Sequence, residues 1–376
     1  ALELDPNLAD GHAVRGLLNN DTGNPDFAMA SLRRALELNP NSLDARNWLS
    51  LSLTDSGRIR EAVDELAVLV DIDPLYPPAI NNAMIYTAEL GDDEQAVAVA
   101  ERFISLSNDP IVELDYRARI AQMEGRLADA LKLMTQIPVV DRGRPVLQRM
   151  VLQYVALGQD PKQYDVQDTN PGFRAVTRAR FGEFETALRL AEDTLRENPD
   201  QVSVQLAYID VLSITQEHER LIAYFESQFL GDLNLYATRL RSSNLTVTPP
   251  FRQLALAARA TGDDLLFEGA MRRWRESIDA FRAGGSASRG RDLDEAAYWA
   301  MRDNQELALD FLESAYARRE LFQLHWLTSP VFEQMRENPR FVALREANAD
   351  RINTEREQLS LDPLPAQVFV VGFSPT

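Results

Sequence analysis

The chain contains no cysteine. That excludes disulfides, thiolate nucleophiles and cysteine-type metal sites together. The absence fits a cytoplasmic or a periplasmic location and leans toward the periplasm, where a stray thiol is a liability. Lysine is almost missing as well: Lys132 and Lys162 stand alone, and every other basic residue is arginine. Histidine occurs at His12, His218 and His325, with no second histidine at ligand spacing and no His-Glu-x-x-His. No Gly-x-x-x-x-Gly-Lys-Ser/Thr loop and no Gly-x-Ser-x-Gly elbow is present, so the usual phosphate cradle and nucleophile turn are both missing. No run approaches the roughly 18 apolar residues of a membrane-spanning helix. No metal, cofactor or enzymatic activity is expected.

What is present is acid. The net charge is -19 over 376 residues. Residues 1–125 hold 22 Asp and Glu against 9 Arg, a net of -13, and the remaining 251 residues hold 36 acids against 30 bases, a net of -6. Acidity is concentrated toward the N-terminal end, which repels phosphate backbones and argues against nucleic acid as a partner there.

A ruler of 34 residues runs through the sequence. Gly23, Gly57, Gly91 and Gly125 fall on it, as do Ala28, Ala62, Ala96 and Ala130, and Pro6, Pro40 and Pro74. Small residues let two helices approach closely, and larger ones fill the gaps between repeats. A glycine just past the first helix supplies a left-handed cap, and proline after Asp or Asn stops the second. Regular repeats are expected over 9–137 and a degenerate pair over 145–167, where Gly158 is one residue off the ruler. Further pairs follow over 168–319, with Gly182, then Gln216 where glycine would stand, then Gly262. Residues 226–250 read as an extended helix followed by a loop, and Ala283–Gly290 as a flexible connection. Helical capping segments over 321–360, broken near Pro330 and Pro339, precede an extended tail over 361–376. Its apolar run from Val368 to Phe373 has strand character. Asn244 to Thr246 matches a glycosylation acceptor, a triplet that chance supplies often.

This 34-residue pattern resembles the tetratricopeptide repeat (TPR) family over roughly residues 1–320. The resemblance implies an all-α, right-handed superhelical solenoid of eight or nine antiparallel helix pairs. A narrower resemblance covers Ala308 to Tyr316 (ALDFLESAY), Ser329 to Phe332 (SPVF) and Arg336 to Phe341 (RENPRF). These look like the closing segment of bacterial signalling proteins in which a TPR region follows a winged-helix or nucleotide-cyclase effector. No effector is present in this sequence. Residues 1–6 (ALELDP) match 35–40 (ALELNP) in five of six positions. They are expected to end a second helix whose partner lies upstream. The apolar edge at Leu2 and Leu4 would then fray or be covered by a second copy of the chain, so the N-terminal end and the C-terminal tail are the candidate homodimer contacts.

In the family, the first helix of each pair (helix A) lines the concave face. Carried onto this sequence, that names Asp10, Leu17, Asn20, Asp44, Asn47, Leu51, Thr54, Asn81, Ile85, Ala88, Asp115, Arg119, Gln122, Val176, Asp210, Arg252 and Arg259. Asn47 and Asn81 share one repeat position and are expected to stack along the groove and meet a peptide backbone. Arg174, Arg178 and Arg180 form a local basic cluster suited to an anion or an acidic peptide. The face is therefore expected to be acidic and amide-rich in the first three repeats and more basic in repeats six to eight. His12 occupies an aromatic packing position; His218 and His325 read as structural or surface residues. The lysine-based carboxylate clamp of chaperone-binding TPR proteins is missing. The candidate contacts for a protein or peptide ligand are Asp44, Asn47, Asn81, Asp115, Arg119, Arg174, Arg178, Arg252 and Arg259. The alternative is a sensory region that binds a small ligand and relays it to an effector.

Overall fold

The computed structural model describes residues 2–22, 24–160, 170–240, 250–285, 291–319 and 326–372. Gly23, Asn244 and His325 lie outside these residues. Among the described residues the chain is helical and holds no strand. It divides into two compact units: unit 1 is Ala1–Asn108, Asn234–Pro249 and Arg275–Arg291, and unit 2 is Asp109–Leu233, Pro250–Trp274 and Asp292–Thr376.

Unit 1 opens with three helix pairs: α1 (Ala9–Asp21) with α2 (Pro25–Leu38), α3 (Leu43–Asp55) with α4 (Ile59–Ile72), and α5 (Pro77–Glu89) with α6 (Asp93–Leu106). In each pair the ruler alanine sits on the second helix. Ala28, Ala62 and Ala96 are all 0% exposed, so a methyl is the largest group the contact admits. Gly57 and Gly91 hold φ values of 77° and 81° between the paired helices. The starts are equally local: Ser42 accepts from the backbone N–H of Ala45, Asp92 accepts from that of Gln95, and Pro25 and Pro77 open their helices. Unit 1 also takes in the end of a later long helix. There the backbone N–H of Arg60 donates to the carbonyl of Gly284 at 3.4 Å, so residues 283–285 pack on the second repeat instead of hanging free. Arg291 is buried against Glu89 (3.6 Å) and over the ring of Phe281 (4.0 Å).

Unit 2 continues with α7 (Pro110–Met123) and α8 (Leu127–Gln136), then α9 (Arg144–Ala156), whose sequence partner falls in the undescribed 161–169. The next pairs are α10 (Pro171–Arg180) with α11 (Phe184–Glu197) and α12 (Val202–Ile214) with α13 (His218–Phe229). Ala130 and Ala187 occupy the same 0%-exposed position as the alanines of unit 1. Gln216 takes the left-handed backbone of the absent glycine, at φ 58° against 78° for Gly182. The turn is thus fixed by the helices on either side, and a residue with a Cβ pays of order 1 kcal/mol to sit in it.

The extended helix expected from residue 226 is broken at Leu230, and the loop expected after it falls on 241–249, outside the described residues. Leu230 and Gly231 turn left-handed at φ 54° and 66°, ending α13, and a separate α14 (Leu233–Arg239) follows. Two positive-φ residues in sequence cannot continue a right-handed helix. The later helices are α15 (Phe251–Thr261), α16 (Asp264–Ala283), α17 (Arg291–Met301) and α18 (Gln305–Ala317). A 3-10 turn over Pro330–Met335 and α19 (Pro339–Gln358) close unit 2, each opened by a proline behind a capping Ser329 or Asn338. The strand expected at Val368–Phe373 is instead a short helical turn, α20 (Val368–Val371); Phe373 lies outside the described residues. Phe369 is buried there against Ile352 of α19, which a single helical turn achieves and an unpaired strand would not.

Candidate binding surfaces

In unit 1 the A helices are α1, α3 and α5. Leu17, Leu51 and Ile85 share one repeat position on them; the two leucines are half-buried and Ile85 is 38% exposed. Asp10 and Asp44 share a second position and are exposed. The phenol of Tyr76 donates to Asp44 at 2.6 Å; burial, with that carboxylate second, pushes its pKa up to about 12. The expected Asn47–Asn81 stack is replaced by a different ladder. Asn82 donates to the side-chain oxygen of Asn47 at 3.0 Å, and both residues are buried. Asn20 donates to Asp55 at 2.8 Å across the same interval of 35 residues. Asn47 is thereby committed to holding adjacent repeats together. Asn81, half-buried one residue earlier, lies at the edge of this ladder and donates to Asn82 at 3.4 Å. His12 is buried as expected, but through polar bonds: its Nε2 lies 2.7 Å from the carbonyl of Pro6 and its Nδ1 2.9 Å from Arg15.

In unit 2, α7 and α9 hold a carboxylate between two guanidinium groups. Asp115 pairs with Arg119 at 3.0 Å and with Arg149, all three side chains being under a fifth exposed. Burial lowers the pKa of Arg149 to about 10 and also lowers that of Arg119, which lies over the Tyr116 ring at 5.2 Å. Asp115 and Arg119 are thus engaged with one another and with Arg149. Arg178 is likewise engaged, with Asp160 and Glu183 at 3.3 Å each. Arg174 is half-buried and does not reach the cavity described next.

A cavity of about 790 Å³ lies on the A helices α10, α12 and α15 and is roofed by residues 326–336. The helices are drawn together by small and polar contacts. Gly172 packs on Ala207, where an added Cβ would approach to 2.8 Å, and Gln253 donates to Asp210 at 2.8 Å. On α15 the residues Arg252, Leu256 and Arg259 recur at helical spacing and face the cavity, while Leu254, Ala255, Ala257 and Ala258 are buried behind them. Arg180, the last residue of α10, joins them. Burial lowers its pKa, Asp210 opposes that, and Arg252 adds to it, so the three groups lie within electrostatic reach of one another. Arg252 stacks on Trp326 at 4.6 Å from the ring centre. Arg259 donates to the carbonyl of Met301 at 2.7 Å and to Asp303 at 3.1 Å. The roof is held by Val331, Phe332 and Met335, all buried. His218, at the first turn of α13, also lines the cavity, and burial lowers its pKa.

Of the arginines singled out in the sequence, Arg252 and Arg259 therefore meet at one cavity with Arg180 and Asp210. Trp326 and Arg336 were not foreseen. They lie past the last repeat, where no register relates them to a groove. Among the described residues no group of His, Asp and Glu is arranged to hold a metal ion, and no helix is long and apolar enough to cross a membrane.

The tetratricopeptide repeat family matches residues 9–42. No curated protein matches the chain. The solved structures that match the chain include the following three. A tetratricopeptide repeat protein from Parabacteroides merdae is 13% identical, over 80% of this chain and 98% of its own, with a TM-score of 0.34. Naa15/Naa10 bound to HypK-THB is 13% identical, over 96% of this chain and 60% of the other, with a TM-score of 0.28. A monomeric mutant of IFIT1 with Gppp-AAAA is 14% identical, over 92% of this chain and 69% of its own, with a TM-score of 0.40. Among the described residues the chain is thus a helical-repeat structure, one repeat of which matches the tetratricopeptide family, with the same small-residue register recurring at later helix pairs.

Proposed function

We propose that the chain is a non-catalytic protein-interaction scaffold, and that the A-helix face of unit 1 receives an extended segment of a partner protein. One observation carries this reading: Leu17, Leu51 and Ile85 form a partly exposed apolar row at a single repeat position. Asp10 and Asp44 run beside it, and the buried amides of Asn47 and Asn82 fix the repeats that bear it. Neighbouring A helices stand about 8–10 Å apart when packed. An extended chain covers that distance in about three residues at roughly 3.3 Å each. The partner segment accordingly carries an apolar residue at every third position, with Arg or Lys between to meet the aspartates. The narrower resemblance at 308–341 supports a place for this scaffold in a larger bacterial signalling protein.

A peptide array probed with the full chain tests the reading. Captured sequences should show the three-residue apolar spacing with basic neighbours. Ile85→Asp and Leu51→Asp, placed on partly exposed positions, should abolish capture while leaving the thermal midpoint near wild type. Capture that survives both substitutions would remove this face from the function.

A further inference from the structure

The cavity of unit 2 has a chemistry the scaffold reading does not use. Arg180 makes no hydrogen bond or ion pair among the described residues, and its buried Nε has no partner. Arg252 lies over the Trp326 ring, and among the described residues its N–H groups make no hydrogen bond or ion pair. Arg336 reaches only the carbonyl of Thr328, at 3.5 Å, and its Nε is also unpartnered. Removing guanidinium groups from water costs free energy unless an anion or acceptor compensates. Arg259, by contrast, is already satisfied by Met301 and Asp303.

The rest of the lining restricts the anion. Asp210 and Glu333 face the same cavity, so a multiply charged phosphate would meet two carboxylates. A single planar carboxylate matches the forked edge of a guanidinium and carries one charge. Beside the arginines stand Phe184, Ile214, Leu256, Val331 and the ring of Trp326. These would cover an apolar body attached to the carboxylate. The volume, about 790 Å³, is within the range of small-molecule sites.

We infer that this cavity binds a small organic monocarboxylate, its carboxylate between Arg180 and Arg252 and its apolar body against Trp326 and Leu256. The inference is independent of the partner face in unit 1, and either can fail alone.

The test is calorimetric titration of the full chain with phenylacetate and hexanoate, alongside inorganic phosphate and an amidated glutamate-rich peptide. Monocarboxylates should bind saturably and quench Trp326, the quench disappearing in Trp326→Phe. Arg180→Gln and Arg252→Gln should each weaken binding at least tenfold, while Arg340→Gln, an equal charge change elsewhere on unit 2, should leave it unchanged. Arg180→Gln should not lower the thermal midpoint, because it removes a cation whose buried Nε has no partner; a purely structural arginine would lower it. Four results would overturn the inference: no saturable binding of either monocarboxylate at millimolar concentration, equal binding by the cavity variants, tighter binding of phosphate, or tighter binding of the acidic peptide, which would assign the cavity to a partner protein.

Discussion

Units 1 and 2 build their helix pairs on the same small-residue contact and then use their A helices differently. Ala62 in unit 1 and Ala187 in unit 2 are both 0% exposed. Yet unit 1 ties its repeats with amide donors, Asn82 to Asn47 and Asn20 to Asp55, where unit 2 sets two guanidinium groups, Arg149 and Arg119, about Asp115. Unit 1 leaves an apolar row flanked by aspartates on its A helices; unit 2 gathers arginines beneath a roof that comes from beyond the repeats. The contact that specifies the fold is therefore separate from the A-helix positions at which the two units differ.

The largest expected effect breaks the charged tie of unit 2. Asp115→Ala leaves Arg119 and Arg149 partly buried without their shared carboxylate and should cost about 3 kcal/mol. Asn47→Ala, the neutral counterpart in unit 1, should cost only about 1 kcal/mol. Chemical denaturation of both variants measures the gap, and equal losses would erase this distinction. Next come Ala62→Leu and Ala187→Leu. Each should overpack its pair by about 1–3 kcal/mol, and the two should agree, since the contact is the same. Gln216→Gly should stabilise unit 2 by up to about 1 kcal/mol through relief of its left-handed backbone; a loss of stability would mean the glutamine side chain holds the turn.

The smallest effect is a pH dependence. Glu355 of α19 accepts from the backbone N–H of Ala128 at the start of α8, at 2.6 Å. Burial raises its pKa above 4.5, and the backbone donors of Ala128 and Leu127 oppose the rise. A carboxyl whose folded pKa is raised contributes stability that is complete below its unfolded value. That contribution is lost as pH rises through the folded value. Wild type should therefore lose stability relative to Glu355→Gln on going from about pH 4.5 toward neutrality. Parallel curves for the two proteins would remove Glu355 from the pH response.

The repeat register was legible because it is written in residues with no alternative. A closely packed helix pair admits alanine at 28, 62, 96, 130 and 187, and the turn between its helices favours glycine. The inter-repeat amide bond was not legible: position 81 shares the register of Asn47, but Asn82 makes the bond, because adjacent residues on a helix differ by about 100° of facing. Arg252, Arg259 and Asp210 were found through the repeat register, but Arg174 and Arg178 turn to other partners while Arg180 reaches the cavity. Nothing periodic relates Trp326 or Arg336 to that cavity, and their role depends on tertiary return of the chain. The turn at Val368–Val371 was misread for a related reason. Four β-favouring residues read as a strand, but a single turn buries Phe369 against α19.

The proposals for the two units give them separate ligand surfaces on one repeat scaffold. The most direct measurement is a two-by-two calorimetric comparison of Ile85→Asp and Arg252→Gln, each titrated with an array-selected basic peptide and with phenylacetate. Ile85→Asp should lose the peptide and keep the carboxylate, while Arg252→Gln should keep the peptide and lose the carboxylate. Loss of both ligands in either variant, with the fold intact, would contradict that separation.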